Sequence, residues 1–259
     1  AYGNGNKTAS TLDQLLSRAV KVDGRIGPVK ITQTMMKRIG SDPEEAAAVV
    51  AAQAAEAMIQ DYLNTAALAL LTAIGTVGDL VHDASGESGG EYAPLSLAIL
   101  NQGNAKMGDR SQQIVSYLMH SVAFHELLGE AINNDSRLFA LGDLAVYDGG
   151  LGRRYIVSDV ASLVDGQLNH TLALTPGAAA VQVSGLDMES EVQTGGENIT
   201  RQMQGEYDFV TGLKGFGWAD NTAKSPTDAQ IGTAAKWEKT ATSIKDCAGV
   251  LITSGKKPA

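Results

Sequence analysis

Asp42-Pro43-Glu44-Glu45, the alanine-rich run over residues 46–74 and the closing Gly75 decide how this chain is read. Asp42 offers a side-chain oxygen to the free N–H groups of a helix start. Pro43 suits the first helical position, and Glu45 stands three residues after the cap. The helix predicted from there ends near Ile74, before Gly75 and Gly78, and its ~32 residues span roughly 48 Å. Gln53, Glu56, Gln60 and Asn64 make a polar stripe at spacings of three and four, and Ile59, Leu63, Ala66, Leu70 and Ile74 make the apolar one. Gln53, Glu56, Gln60, Asp61 and Asn64 would be expensive in lipid, so the run reads as a slim core helix and not a membrane span.

Before this helix, residues 11–20 suit a short helix, and residues 22–36 form a loosely alternating ribbon around Gly24, Gly27 and Pro28. Val29, Ile31 and Thr32 with basic neighbours fit an exposed hairpin arm better than a core strand. After it come a turn-rich loop over 84–92, a short helix over 95–104, a strand over 113–119 and a helix from Ser121 to Asn133. Residues 141–147, 153–157, 168–174 and 178–183 read as strands, the last two joined through Thr175-Pro176-Gly177. One or two long strands over 198–213, a helix over 227–242 and a strand over 249–253 complete an α+β chain with largely antiparallel strands.

The chain has 259 residues, 29 Gly, one Cys and a formal net charge of −9. A single Cys excludes an internal disulfide framework. Residues 1–40 hold seven Lys or Arg against two Asp, whereas residues 41–105 hold nine acidic groups and no Lys or Arg. An acidic body is a poor binder of nucleic acid, since phosphate neutralisation needs clustered cations. The basic segment is either a solvated surface or an arm that contacts the acidic body of another copy. Ala1-Tyr2-Gly3-Asn4-Gly5-Asn6-Lys7 has no apolar run of a signal peptide and no initiator Met, as in a processed or cropped chain.

Candidate chemistry is sparse. His120 and His125 stand five apart, about 140° around a helix, and do not share a face as metal ligands at i and i+4 do. Asp148-Gly149-Gly150-Leu151-Gly152-Arg153-Arg154 is rich in glycine, but a phosphate loop needs a helix after it. Arg153-Arg154-Tyr155-Ile156-Val157 reads as a strand, so a turn between strands is expected. Cys247 has no His–Asn or His–Asp pattern near it and reads as a small buried hydrophobe. Ser121 lacks a nucleophile elbow. The residues themselves point to no catalytic residue, no cofactor and no metal.

The order of segments is similar to that of the major capsid proteins of tailed bacteriophages. A basic arm and a long acid-capped helix precede Gly103-Asn104-Ala105-Lys106-Met107-Gly108-Asp109-Arg110 and Ile114-Val115-Ser116-Tyr117-Leu118-Met119-His120-Ser121. Gly152-Arg153-Arg154-Tyr155-Ile156-Val157-Ser158-Asp159, Leu174-Thr175-Pro176-Gly177-Ala178, Glu197-Asn198-Ile199-Thr200-Arg201 and Lys245-Asp246-Cys247-Ala248-Gly249-Val250 also resemble stretches of that family. The likeness covers roughly residues 20–253.

The resemblance implies a Hong Kong 97-type fold. Residues 1–40 would hold the N-terminal segment and extended-loop region, and 41–112 a peripheral domain whose spine helix is 42–74. Residues 113–184 would form the axial domain, 185–220 the return strands of the peripheral domain, and 221–259 the C-terminal helix and closing strand. The implied function is a non-enzymatic icosahedral shell in the virion, assembled in the bacterial cytoplasm around double-stranded DNA. Its partners would be copies of itself in hexamers and pentamers, with portal, scaffold and decoration proteins. The alternatives are an encapsulin-like nanocompartment and a soluble phosphate-binding enzyme. Arg25, Lys30, Lys37 and Arg38 are the expected subunit-interface residues.

Overall fold

The computed structural model describes residues 17–39, 43–86, 93–133, 146–149 and 153–256. Strand β1 (Val20–Thr32) leads into helix α1 (Gln33–Ile39) and the long helix α2 (Pro43–Gly75), which starts and ends where its flanking residues predict. Asp42 lies outside the described residues, as does residue 11–16 of the expected first helix; Val20 is already strand. By length and composition, 48–75 is apolar enough to cross a membrane. Its C-terminal half is nevertheless a core helix, with Ala67, Ala69, Leu70, Ala73 and Ile74 buried in the protein's own core.

The buried stripe of α2 differs from the expected one near its middle. Ala66, Leu70 and Ile74 are buried, but Ile59 is 65% and Leu63 39% exposed. Ala54, Met58 and Thr65 are buried instead. Tyr62 sets this rotation, because its ring packs on Phe209 at 4.6 Å and on Tyr207 at 5.8 Å.

After α2 the chain forms β2 (Val81–Asp83), α3 (Leu97–Ala105), β3 (Ser116–Met119), α4 (Ser121–Asn133), β4 (Val146–Gly149) and β5 (Arg153–Val157). The strand expected over 113–119 starts only at Ser116, because Gly108–Gln113 winds as a 3-10 turn. Residues 141–145 of the next expected strand lie outside the described residues. Then follow β6 (Val164–Asp165), β7 (Leu168–Leu174), β8 (Ala179–Gln193), β9 (Thr200–Leu213), β10 (Phe216–Trp218), α5 (Asp228–Ile231), β11 (Trp237–Lys239) and β12 (Gly249–Gly255).

These strands make two sheets. One has the order β1-β9-β10-β11 with β8 also paired to β9; the other runs β2-β12-β7-β3-β5-β4 with β6 on β7. Helix α2 touches strands of both. Val20–Thr32 is therefore a strand paired along β9, from Val20↔Thr211 to Thr32↔Thr200, and not a free hairpin arm. The expected junction at Thr175-Pro176-Gly177 is a turn but not a hairpin, because β7 and β8 belong to different sheets. Gly177, at φ 70°, and the Ala178 N–H bond to Thr175 O at 3.1 Å turn the chain from one sheet into the other.

The helix expected over 227–242 shrinks to four residues. Trp237 overrides it: its indole N–H donates to Ile231 O at 2.8 Å, its ring meets Trp218 edge-on at 5.1 Å, and its backbone pairs with Trp218. Local helix propensity yields to the burial of this aromatic pair.

Two groups of sequence motifs meet in space. Asp109 and Arg110 pair with Lys245 and Asp246, tying the turn after α3 to the turn before β12. The buried Tyr117 hydroxyl accepts from Asn104 Nδ2 and from Arg153 Nη1, each at 2.6 Å, and Arg153 Nη2 donates to Ser111 O at 3.2 Å. Tyr155 stacks on Tyr117 at 5.4 Å, and burial pushes its own hydroxyl up to about 12.

Where β12 meets β7, a Cβ on Gly249 would lie 2.0 Å from Ala173 O, a backbone atom that cannot rotate away. Gly249→Ala should cost about 3 kcal/mol or more, read as a lower thermal midpoint. Gly78→Ala, where no atom lies within 4 Å of the new Cβ, should stay within about 0.5 kcal/mol.

Candidate assembly surface

Side chains alternate across a strand, so the pairing of β1, β9 and β8 sorts them onto two faces. On the face toward α2, Val22 stands opposite Phe209 and Gly24 opposite Tyr207. Phe209 is fully buried, and the Tyr207 hydroxyl donates to Asp61 Oδ2 of α2 at 2.6 Å. Burial and then that carboxylate hold the Tyr207 hydroxyl well above the ordinary tyrosine range. Gly24 is glycine for room: a Cβ there would lie 2.1 Å from Tyr207 Cζ.

The same face continues onto β8 through Val181↔Thr211, Val183↔Phe209 and Leu186↔Tyr207. Whereas Thr211 and Phe209 are fully buried, Val181 is 38% exposed, Val183 47% and Leu186 40%. This apolar row of β8 is left uncovered, and nearly all of β8 is exposed. Both β8 and β1 pair with β9 and with no other described strand. On β1 the Asp23 N–H donates to Ser225 Oγ at 3.0 Å, so its open stretch lies beyond Asp23.

The opposite face is polar and divided by charge. On β8 it carries Asp187, Glu189 and Glu191, which stand opposite Glu206, Gln204 and Gln202 of β9. On β1 it carries Lys21, Asp23 and Arg25, opposite Val210, Asp208 and Glu206, and beyond a register shift Lys30 opposite Gln202. One edge of the sheet is thus acidic and the other mainly basic.

Of the expected interface residues, Arg25 and Lys30 share this face, both exposed. Arg25 Nη2 stands 3.9 Å from Glu206 Oε1, with both side chains about two-thirds exposed, a weak pair in high dielectric. Lys21 reaches Asp23 at 3.0 Å and Asp208 at 3.3 Å, and these acceptors raise its pKa. Lys30 forms no ion pair with another described residue. Lys37 and Arg38 lie apart from the sheet in the last turn of α1, also exposed, where cations suit a helix C-terminus. Sequence reasoning missed Asp187, Glu189 and Glu191; their i, i+2, i+4 spacing was the available signal, but it acquires meaning only once β8 extends past Val183.

The other candidate residues have structural roles. His120 Nδ1 accepts from Val122 N at 3.2 Å, its Nε2 lies 3.4 Å from Asp159 Oδ1, and Asp159 also accepts from Ser121 N at 3.2 Å. The bond from Ser121 lowers the Asp159 pKa first, and together these groups cap α4. Among the described residues no group of three or more His, Cys, Asp or Glu is placed to hold a metal. Gly149 pairs with Arg153 across antiparallel β4 and β5, so the glycine-rich run joins two strands, with residues 150–152 outside the described set. Cys247 is fully buried, and burial pushes its thiol up.

Strand edges of opposite charge beside an exposed apolar row are features that suit contact with another chain. The chain belongs to the major capsid protein 13-like family, whose pattern matches residues 1–251; its role is that of a structural capsid protein. No curated protein matches it. Among solved structures it is similar to a chain of the holo-SrpI encapsulin complex from Synechococcus elongatus, with 7% identity over 85% of this chain and 72% of that one, at a TM-score of 0.48. A chain of Mycobacterium phage Che8 matches with 12% identity over 82% of this chain and 95% of that one, at 0.39. The capsid of Ralstonia phage GP4 matches with 13% identity over 95% and 75%, at 0.42.

Tyr207→Phe keeps the ring contacts and removes the bond to Asp61. It should cost about 1–2 kcal/mol in thermal or denaturant unfolding at neutral pH. The folded-state hydroxyl has a raised pKa, so the wild-type advantage is full below about pH 10 and declines as pH rises through the alkaline range.

Proposed function

We propose that the chain forms the icosahedral head of a tailed double-stranded DNA bacteriophage, with a Hong Kong 97-type fold and no catalytic step. The observation that carries this reading is the family match over residues 1–251. The long helix bridging two sheets and the exposed edge strand β8 support it. In this reading α2 is the spine helix, and residues 1–40 hold the N-terminal segment and extended-loop region. Residues 41–112 and 185–220 make the peripheral domain, residues 113–184 the axial domain, and residues 221–259 close the chain. The shell would assemble in the host cytoplasm, with portal, scaffold and decoration proteins as further partners.

Arg25, Lys30, Lys37 and Arg38 face a neighbouring copy in this proposal. A single exposed pair contributes little, but repetition across every subunit contact favours the correct partner and register. The exposed apolar residues Ile59 and Leu63 on α2 offer further area to a neighbour. DNA is enclosed without sequence-specific binding, since a net charge of −9 disfavours phosphate contacts.

Reversing all four cations to Glu should lower shell yield at least about tenfold, scored by electron microscopy and sedimentation, while the subunit stays folded. Unchanged shells contradict this role. Shells recovered from phage-infected cells should contain double-stranded DNA; protein cargo in its place identifies a nanocompartment.

A further inference from the structure

Resting on the shell reading, we infer that the acidic face of β8 in one copy engages the basic face of β1 in the next, so that copies join head to tail through the two edges of the same sheet. The charges divide cleanly. Asp187, Glu189 and Glu191 are the only ionisable groups on β8, and β1 carries Lys21, Arg25 and Lys30 against Asp23 alone. All of these acids and bases share the face turned away from α2, because they align on the same β9 residues: Asp187 and Arg25 on Glu206, Glu191 and Lys30 on Gln202.

Within one copy, β9 lies between the two charged strips and keeps them from neutralising each other. Lys21 and Arg25 reach only as far as β9, to Asp208 at 3.3 Å and Glu206 at 3.9 Å, and Lys30 forms no ion pair with another described residue. None of Asp187, Glu189 and Glu191 forms an ion pair with another described residue. The acids recur every second residue, about 6.6–6.8 Å apart along the strand, and Asp187 to Glu191 spans the same β9 positions, Glu206 to Gln202, as Arg25 to Lys30. A strand of 15 residues that is almost wholly exposed is an edge that natural proteins cover or blunt. On the α2 side, Val181, Val183 and Leu186 add apolar area to the same contact.

The occupant is a second copy of this chain, since it carries the complementary charge at matching sheet positions. The two contacting surfaces differ, so the interface is heterologous, the kind that closes rings when the rotation between copies allows. Long charged side chains also tolerate the small differences in angle between rings of five and six.

The test uses three variants of the full chain. One carries Asp187→Lys, Glu189→Lys and Glu191→Lys; another carries Arg25→Glu and Lys30→Glu; the third carries all five changes. Thermal unfolding checks that each subunit folds, and electron microscopy with sedimentation scores shells. Each of the first two should lose at least about tenfold in shell yield, and the third should return to within about twofold of the wild type. Since Arg25→Glu places a like charge near Glu206, Lys30→Glu alone repeats the test if the subunit is weakened. Normal assembly of either single-strand variant, or a folded five-change chain that stays deficient, overturns the pairing. If the wild type forms shells throughout, that failure leaves the capsid reading intact; a wild type that forms none overturns both.

Discussion

The contact between α2 and β9 is the constraint on which the rest depends. Tyr62 packs on Phe209 and Tyr207, while Asp61, its neighbour in sequence, accepts the Tyr207 hydroxyl. Aromatic area supplies most of the attraction, and the single bond to the carboxylate fixes the rotation of the helix. That rotation buries Met58 and Thr65 and turns Ile59 and Leu63 outward. Further along, the same helix reaches β7 and β12. One rigid element thereby sets both sheets relative to each other.

Function follows from what this contact leaves uncovered. Helix α2 packs over β9 and touches β8, yet Val181, Val183 and Leu186 of β8 stay 38–47% exposed. A free subunit with long bare edges is a liability; in a shell the same edges become the joints between copies. The buried network of Asn104, Tyr117 and Arg153 contributes differently, holding the second sheet firm. Its arginine, which might otherwise suggest an anion site, is spent on a tyrosine hydroxyl and a backbone carbonyl.

Local signals made some elements legible. Pro43 and Gly75 mark the two ends of α2, because helix-start and helix-stop signals are local. Arg153–Val157 and Leu168–Leu174 are legible as strands from their β-branched and apolar residues. The interrupted helix after Thr227 was not, since Trp237 is diverted by a partner at Trp218, 19 positions away. The length of β8 was also hidden: Asp187–Gln193 alternates acids with Met, Ser and Val, a pattern that becomes a strand through its pairing with β9. Of the interface, the basic half was readable from charge alone. The acidic half needed the register, which places Asp187 and Arg25 against the same glutamate.

The claim at the centre of this account is that the chain works by covering its open edges with copies of itself. Negative-stain electron microscopy of the purified wild-type chain tests it most directly. Uniform polyhedral shells are the predicted result; a monodisperse monomer across protein concentrations and salt conditions would contradict it.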